Sequence, residues 1–162
     1  MPEEFERAAA ALERETTVRG LLVATCRELV VMLDASACAI SRVVGDLLIG
    51  LEEFALSGSP LSHGHEFLIS DYPLTREVVE QGEARSMSLQ DQDADAREAA
   101  LLEKLGFQSL LMMCLPTGKE CWGLIEVYGN GSRFDHRQVA VAERVAVRAG
   151  ELLGELERGR AG

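Results

Sequence analysis

His63 and His65, two imidazoles separated by one glycine, are the sharpest polar feature of the chain, and histidines so placed in a loop are the residue type that ligates metals. A metal site needs two or more further donors, and only Asp71, Glu66 or a distant cysteine offers one, so solvated loop histidines are the expectation. His136 belongs to a helix start. Cys26, Cys38, Cys114 and Cys121 form neither a CxxC pair nor the regular spacing of a disulfide framework, and the expectation is buried free thiols. Thiol chemistry at Cys114 or Cys121 requires an accessible, electropositive setting, whereas Cys114 follows Leu110, Leu111, Met112 and Met113 and reads as core. Arg42, Glu126 and Tyr128 are polar groups in otherwise apolar strands. They either orient a small ligand or pair with one another. Met87, Met112, Met113 and Trp122 supply adaptable apolar lining. The candidate ligand-binding set is Arg42, His63, His65, Phe67, Tyr72, Met87, Met112, Cys114, Trp122, Glu126 and Tyr128, with no catalytic residue and no metal site assigned.

The elements that must position these residues follow from periodicity and punctuation. Glu3 to Leu33 holds one glycine and no proline, and its apolar positions Phe5, Ala8, Ala9, Leu12, then Leu22, Cys26, Leu29, Val30 and Leu33 predict one long helix. Ser36 to Leu56 switches to period two around Gly45-Asp46 and reads as a hairpin. Ser57 to His65 is a loop by its Gly, Ser and Pro content. Pro73 starts a short helix that Gly82 stops, with Leu74, Val78 and Val79 as its apolar face. Arg85 to Leu89 reads as a short strand and Asp95 to Leu105 as an acidic helix with Ala99, Leu102 and Leu105 on one side. Phe107 to Leu115 and Cys121 to Tyr128 are central strands, because Leu110 to Leu115 is apolar on both faces. Asp135 and Gln138 spell a capping box, flanked by Phe134 and Val139 as a staple. The stripe that follows, Val139, Ala142, Val145, Ala149, Leu152 and Leu156, extends beyond what one chain's core should need. This order predicts an antiparallel sheet with the terminal helices on one face and the middle segment crossing the other.

With 162 residues, the chain buries roughly 70% of its unfolded surface as one domain without staples. Its 27 acidic against 16 basic side chains give a net charge of -11, which excludes a phosphate-backbone binder and an anionic membrane surface. The longest apolar run, Leu110 to Leu115, is far short of the ~20 residues of a spanning helix. Neither a basic nor an apolar leader opens the sequence, and a cytoplasmic location is expected.

Asp71-Tyr72-Pro73-Leu74-Thr75 followed by Val78 to Gly82, then Leu102 to Leu111 with its Leu-Gly-Phe-Gln-Ser-Leu-Leu strand, then Trp122-Gly123-Leu124-Ile125-Glu126-Val127-Tyr128 and Arg133-Phe134-Asp135, resemble a GAF domain in order and spacing. GAF domains are small sensor modules of bacterial signalling proteins, and this version is similar to those beside diguanylate cyclases, kinases and phosphatases. The resemblance implies an α+β fold with about six antiparallel strands, terminal helices on one face, and a ligand pocket under short helices on the other. It implies residues 24–153 as the GAF domain, 1–23 as a helix for dimerisation or signalling, and 154–162 as a helix end and tail. The function implied is noncatalytic binding of a small molecule, signalled through the terminal helices of a homodimer to an effector or partner protein. Some GAF domains carry haem on a histidine or a bilin, and the cofactor here stays open. The cyclic-nucleotide signature is incomplete, because Gly131 stands where a lysine belongs. Two alternatives remain: a thiol enzyme related to the free methionine sulfoxide reductases, and a degenerate GAF domain that only dimerises.

Overall fold

The structure, a computed structural model, describes residues 2–58, 61 and 66–161. Two helices, α1 (Pro2–Glu13) and α2 (Val18–Leu33), precede the hairpin β1 (Ala37–Val44) and β2 (Leu47–Ala55). After β3 (Glu66–Leu68) come a single 3-10 turn at Ile69–Asp71, α3 (Pro73–Gln81), β4 (Arg85–Ser88) and α4 (Ala96–Leu105). The hairpin β5 (Ser109–Thr117) and β6 (Glu120–Gly129) leads into α5 (His136–Ala161). All strand pairs are antiparallel, in the order β3-β2-β1-β6-β5-β4. Two consequences follow: β6 lies deep in the sheet, and side chains two apart along it share a face.

Local chemistry sets the boundaries. The single N-terminal helix expected from the sequence is instead two, because the Thr17 side chain accepts a hydrogen bond from the Gly20 N–H at 3.0 Å and caps a new start. Gly82 and Gly106 end α3 and α4 in the left-handed region, at φ 73° and 87°, where a glycine carries no Cβ penalty. The capping box forms as its sequence spells it. The Gln138 N–H donates to Asp135 Oδ1 at 2.8 Å, and the Asp135 N–H donates to Gln138 Oε1 at 2.9 Å. The short edge strand β3 and the turn after it were not expected. Three residues paired to the sheet margin leave too little periodicity to read.

The sheet divides the interior in two. On one face α1, α2 and α5 cover Cys38, Ile40, Leu111, Met113, Ile125 and Val127. On the other, α3, α4 and the Ile69 turn cover Leu110, Met112, Leu124 and Tyr128. The far end of the α5 stripe, expected to reach past a one-chain core, is packed within this chain. Leu153 is fully buried, and Leu152 and Leu156 join the cluster that holds Ala8 and Leu12 of α1. Arg148 clamps Glu13 at 2.8 Å, and Arg144 lies 4.0 Å above the Phe5 ring, so α1 is held against α5 by charge as well as burial. α5 comes close to the sheet at Gly150, where any Cβ would collide with the Pro116 carbonyl oxygen.

Candidate ligand-binding site

Glu126 and Tyr128 are two apart on β6 and share the face beneath α3 and α4, where the Tyr128 hydroxyl donates to Glu126 Oε2 at 3.1 Å. Met112 is the cross-strand partner of Glu126, and its sulfur lies 3.4 Å from Thr75 Oγ1 on α3. The Thr75 hydroxyl donates to Glu98, which α4 lowers onto the same spot. Glu98 is held there by helix geometry, since it lies one turn before Leu102 and two turns before Leu105 on the inward stripe. Glu98 keeps 2% of its surface exposed and Glu126 8%. Among the described residues neither has an ion-pair partner.

Electrostatics sharpen this cluster. Burial, with Glu98 as a second negative neighbour, pushes the Glu126 carboxyl up to about 8. Burial also raises Glu98, opposed by its bond from Thr75. Tyr128 is raised by burial and by Glu126. Two carboxyl groups buried close together, without a cationic partner among the described residues, are both biased toward their protonated forms unless a ligand brings donors to them. Aromatic rings pack on the same side of the sheet. Phe107 stacks on Tyr128 at 5.1 Å, and Tyr72 meets Phe67 edge-on at 6.0 Å, with Arg97 at 5.8 Å from the Tyr72 ring.

A family model for the GAF domain matches residues 18–153. The chain belongs to the GAF family. Three solved structures share the fold of this GAF domain. The chromophore-binding domain of an unusual bacteriophytochrome from R. palustris is 14% identical with a TM-score of 0.81, covering 98% of this chain and 61% of that one. A far-red absorbing dark state with bound biliverdin is 15% identical with a TM-score of 0.80, covering 95% and 99%. The chromophore-binding domain of a Stigmatella aurantiaca bacteriophytochrome is 15% identical with a TM-score of 0.77, covering 93% and 59%. The GAF domain thus spans about three-fifths of the length of the two bacteriophytochrome domains. No curated protein matches it.

Within this GAF domain the sequence-derived candidates separate by face. Met87, Met112, Glu126 and Tyr128 lie on the α3/α4 side, with Phe67 and Cys114 packed against their cluster and Tyr72 at the start of α3. Arg42 and Trp122 belong to the opposite side. The Arg42 guanidinium sits 4.4 Å over the Trp122 ring and donates to the Trp122 carbonyl at 2.6 Å and the Val43 carbonyl at 3.0 Å. Arg42 therefore neutralises neither buried carboxyl. His63 and His65 lie outside the described residues.

The expectation of four free thiols is corrected for two of them. Cys114 and Cys121 form a disulfide with Cα atoms 5.3 Å apart, while Cys26 and Cys38 remain free and fully buried. The cause is a register shift between Leu115 and Pro116, which pairs Leu115 with Gly123 but Pro116 with Cys121. An unshifted ladder would put Cys121 opposite Thr117, on the other face. The extra residue Trp122 turns toward the helices and returns Cys121 to the Cys114 side.

Glu98 and Thr75 are the site residues that the sequence reading missed. The signal was present: Glu98 interrupts the Leu102 and Leu105 stripe at helical spacing, and Thr75 precedes Val78 by three on α3.

Proposed function

We propose that this GAF domain is a noncatalytic sensory module that binds a small molecule between the sheet and the segment spanning residues 57–89, presenting hydrogen-bond donors or a positive charge to Glu98 and Glu126. The observation that carries this reading is the pair of buried carboxyl groups without a cationic partner among the described residues. A filled core has no use for them, and apolar side chains of similar volume would pack there without a desolvation cost. Tyr128 and Thr75 orient the two groups, and Met112 supplies an adaptable floor. Residues 24–153 are the sensing body in this reading. Residues 1–23 and the end of α5 carry its output in a cytoplasmic homodimer, to an effector or partner protein. Val31 and Val147, which stay exposed at 59% and 51% on α2 and α5, are the apolar positions available to a second copy. The biliverdin in one solved relative sets the upper end of ligand size to consider.

Native mass spectrometry of protein purified under non-denaturing conditions, with an absorption spectrum for haem or bilin, tests the reading directly. A bound mass that is lost in both Glu98→Gln and Glu126→Gln, each still folded, supports it. Protein that carries no mass, and whose melting temperature is unmoved by a panel of small amines, guanidines and amides, overturns it in favour of a packed GAF domain acting through its helices alone. Light scattering over a hundredfold concentration range tests the dimer, and a constant monomer mass removes it.

A further inference from the structure

The Cys114–Cys121 disulfide stands apart from the carboxyl cluster, near the turn of the β5–β6 hairpin, and it is open to solvent. Both cysteines are only partly buried, and they line a groove of about 220 Å³ between the end of α3, the Gly118-Lys119 turn and α5. The groove exists because β4 pairs only with Ser109–Met112, so that the outer edge of β5 from Met113 onward has no strand beside it among the described residues. The other cysteine pair offers a control inside the same molecule. Cys26 and Cys38 have no exposed surface, and burial together with the contact to Cys26 raises the Cys38 thiol well above its usual range.

A structural staple is a poor account of the bond. Its cysteines are seven residues apart, on two strands that the ladder already holds in register on both sides of them. Closing so short a loop removes little freedom that the hairpin has not already removed. Position gives the bond a different consequence. Pro116, two residues from Cys114 and paired with Cys121, is the residue whose carbonyl oxygen lies against Gly150 of α5. Whatever changes the hairpin end changes the seat of that helix.

We propose that Cys114–Cys121 is a thiol–disulfide exchange site, whose co-reactant is a neutral or basic thiol or dithiol and whose redox state sets the seating of α5. In the exchange, the thiolate of the incoming reagent attacks one sulfur along the S–S axis. A mixed disulfide forms and the second cysteine leaves as a thiolate that takes a proton from solvent. The second thiol of the reagent then displaces the first cysteine, so the reagent departs as its own disulfide and the protein has gained two electrons and two protons. Oxidation by a small disulfide runs the same steps backwards. The charged side chains lining the groove, Glu80, Glu120 and Glu143 against the single Lys119, are net negative and select against an anionic thiol.

The test uses the full chain, with alkylation and mass spectrometry counting thiols. Oxidised protein is expected to show two alkylated cysteines after unfolding, and four after equilibration with dithiothreitol while still folded. The added pair should titrate reversibly as one two-electron couple. Among monothiols of similar size, cysteamine should open the bond about tenfold faster than mercaptoethanesulfonate, with mercaptoethanol between them and the spread narrowing in high salt. Amide exchange of residues 146–153 should rise on reduction, and Cys114→Ser should reproduce the reduced pattern. A bond that opens only when the protein unfolds, equal rates for the three thiols, or α5 exchange that ignores the redox state would each overturn the proposal. So would cysteines that stay reduced in excess cystamine.

Discussion

The two faces of the sheet solve different problems with the same strands. On the helical face Ile40, Ile125 and Val127 pack in one apolar cluster with α2 and α5; of the buried hydroxyls there, Thr25 is satisfied within its own helix by the Leu21 carbonyl at 2.7 Å, while Ser109 has no hydrogen-bond partner among the described residues. The face beneath α3 and α4 holds Glu98, Glu126, Thr75 and Tyr128 at comparable burial. Both faces exclude water, but only the second buries carboxyl groups, whereas the helical face buries the thiols of Cys26 and Cys38. The difference teaches where the domain's stability is concentrated and where it is surrendered. A face meant only to hold the fold has no reason to bury two acids whose ionisation burial opposes.

Truncation on the helical face should produce the largest effect and sharpen this contrast. Leu29→Ala removes a side chain with no exposed surface and is expected to cost about 2–5 kcal/mol in chemical denaturation, whatever the pH. Isosteric neutralisation on the opposite face should act with the reverse sign. The Glu126 carboxyl is raised from 4.5 to about 8 in the folded protein, so its contribution is fully present below pH 4.5 and is lost as the pH rises through 8, where folding no longer protects its proton. Glu126→Gln should therefore match the parent near pH 4 and exceed it by roughly 2–4 kcal/mol at pH 8.5. A parent and variant with parallel pH profiles would break the comparison, because Glu126 would then be paired or solvated. Asp135→Ala, which removes one half of the α5 capping box, should cost about 1 kcal/mol at neutral pH by thermal melting. Smallest of all, Arg148→Ala breaks the half-exposed pairs to Glu13 and Glu151 and should change stability by less than about 1 kcal/mol, fading with added salt.

What could be read in the sequence tracks how local its cause is. The start and stop of α3, the Asp95 start of α4 and the reciprocal hydrogen bonds of Asp135 and Gln138 depend on neighbours within four residues, and residue type alone announces them. The two-sided apolar run of β5 likewise told that both faces of the sheet are covered. The site was legible in part. Met112, Glu126 and Tyr128 fall together because alternation along paired strands fixes their face. Arg42 parted from them by plain alternation on β1, two residues from Ile40 on the helical face, whereas Trp122 parted because a single shifted residue in the β5–β6 ladder inverts a side chain, and no pattern of apolar positions reveals a shift of one. That shift also made the disulfide invisible. Glu98 was passed over as one more charge on an acidic helix, although its place among Leu102 and Leu105 marked it.

Gly150 gives α5 a fulcrum. With backbone pressed on backbone there, turning the helix about its own axis would drive a side chain toward the Pro116 carbonyl, whereas a small rock about the contact keeps that approach while the packing of Val145 and Leu153 adjusts. The eleven residues beyond Gly150, as far as Ala161, make a lever arm of roughly 16 Å. A rock of about five degrees at the sheet would thus sweep its tip by roughly 1.4 Å, enough to exchange one packing arrangement for another at the far end.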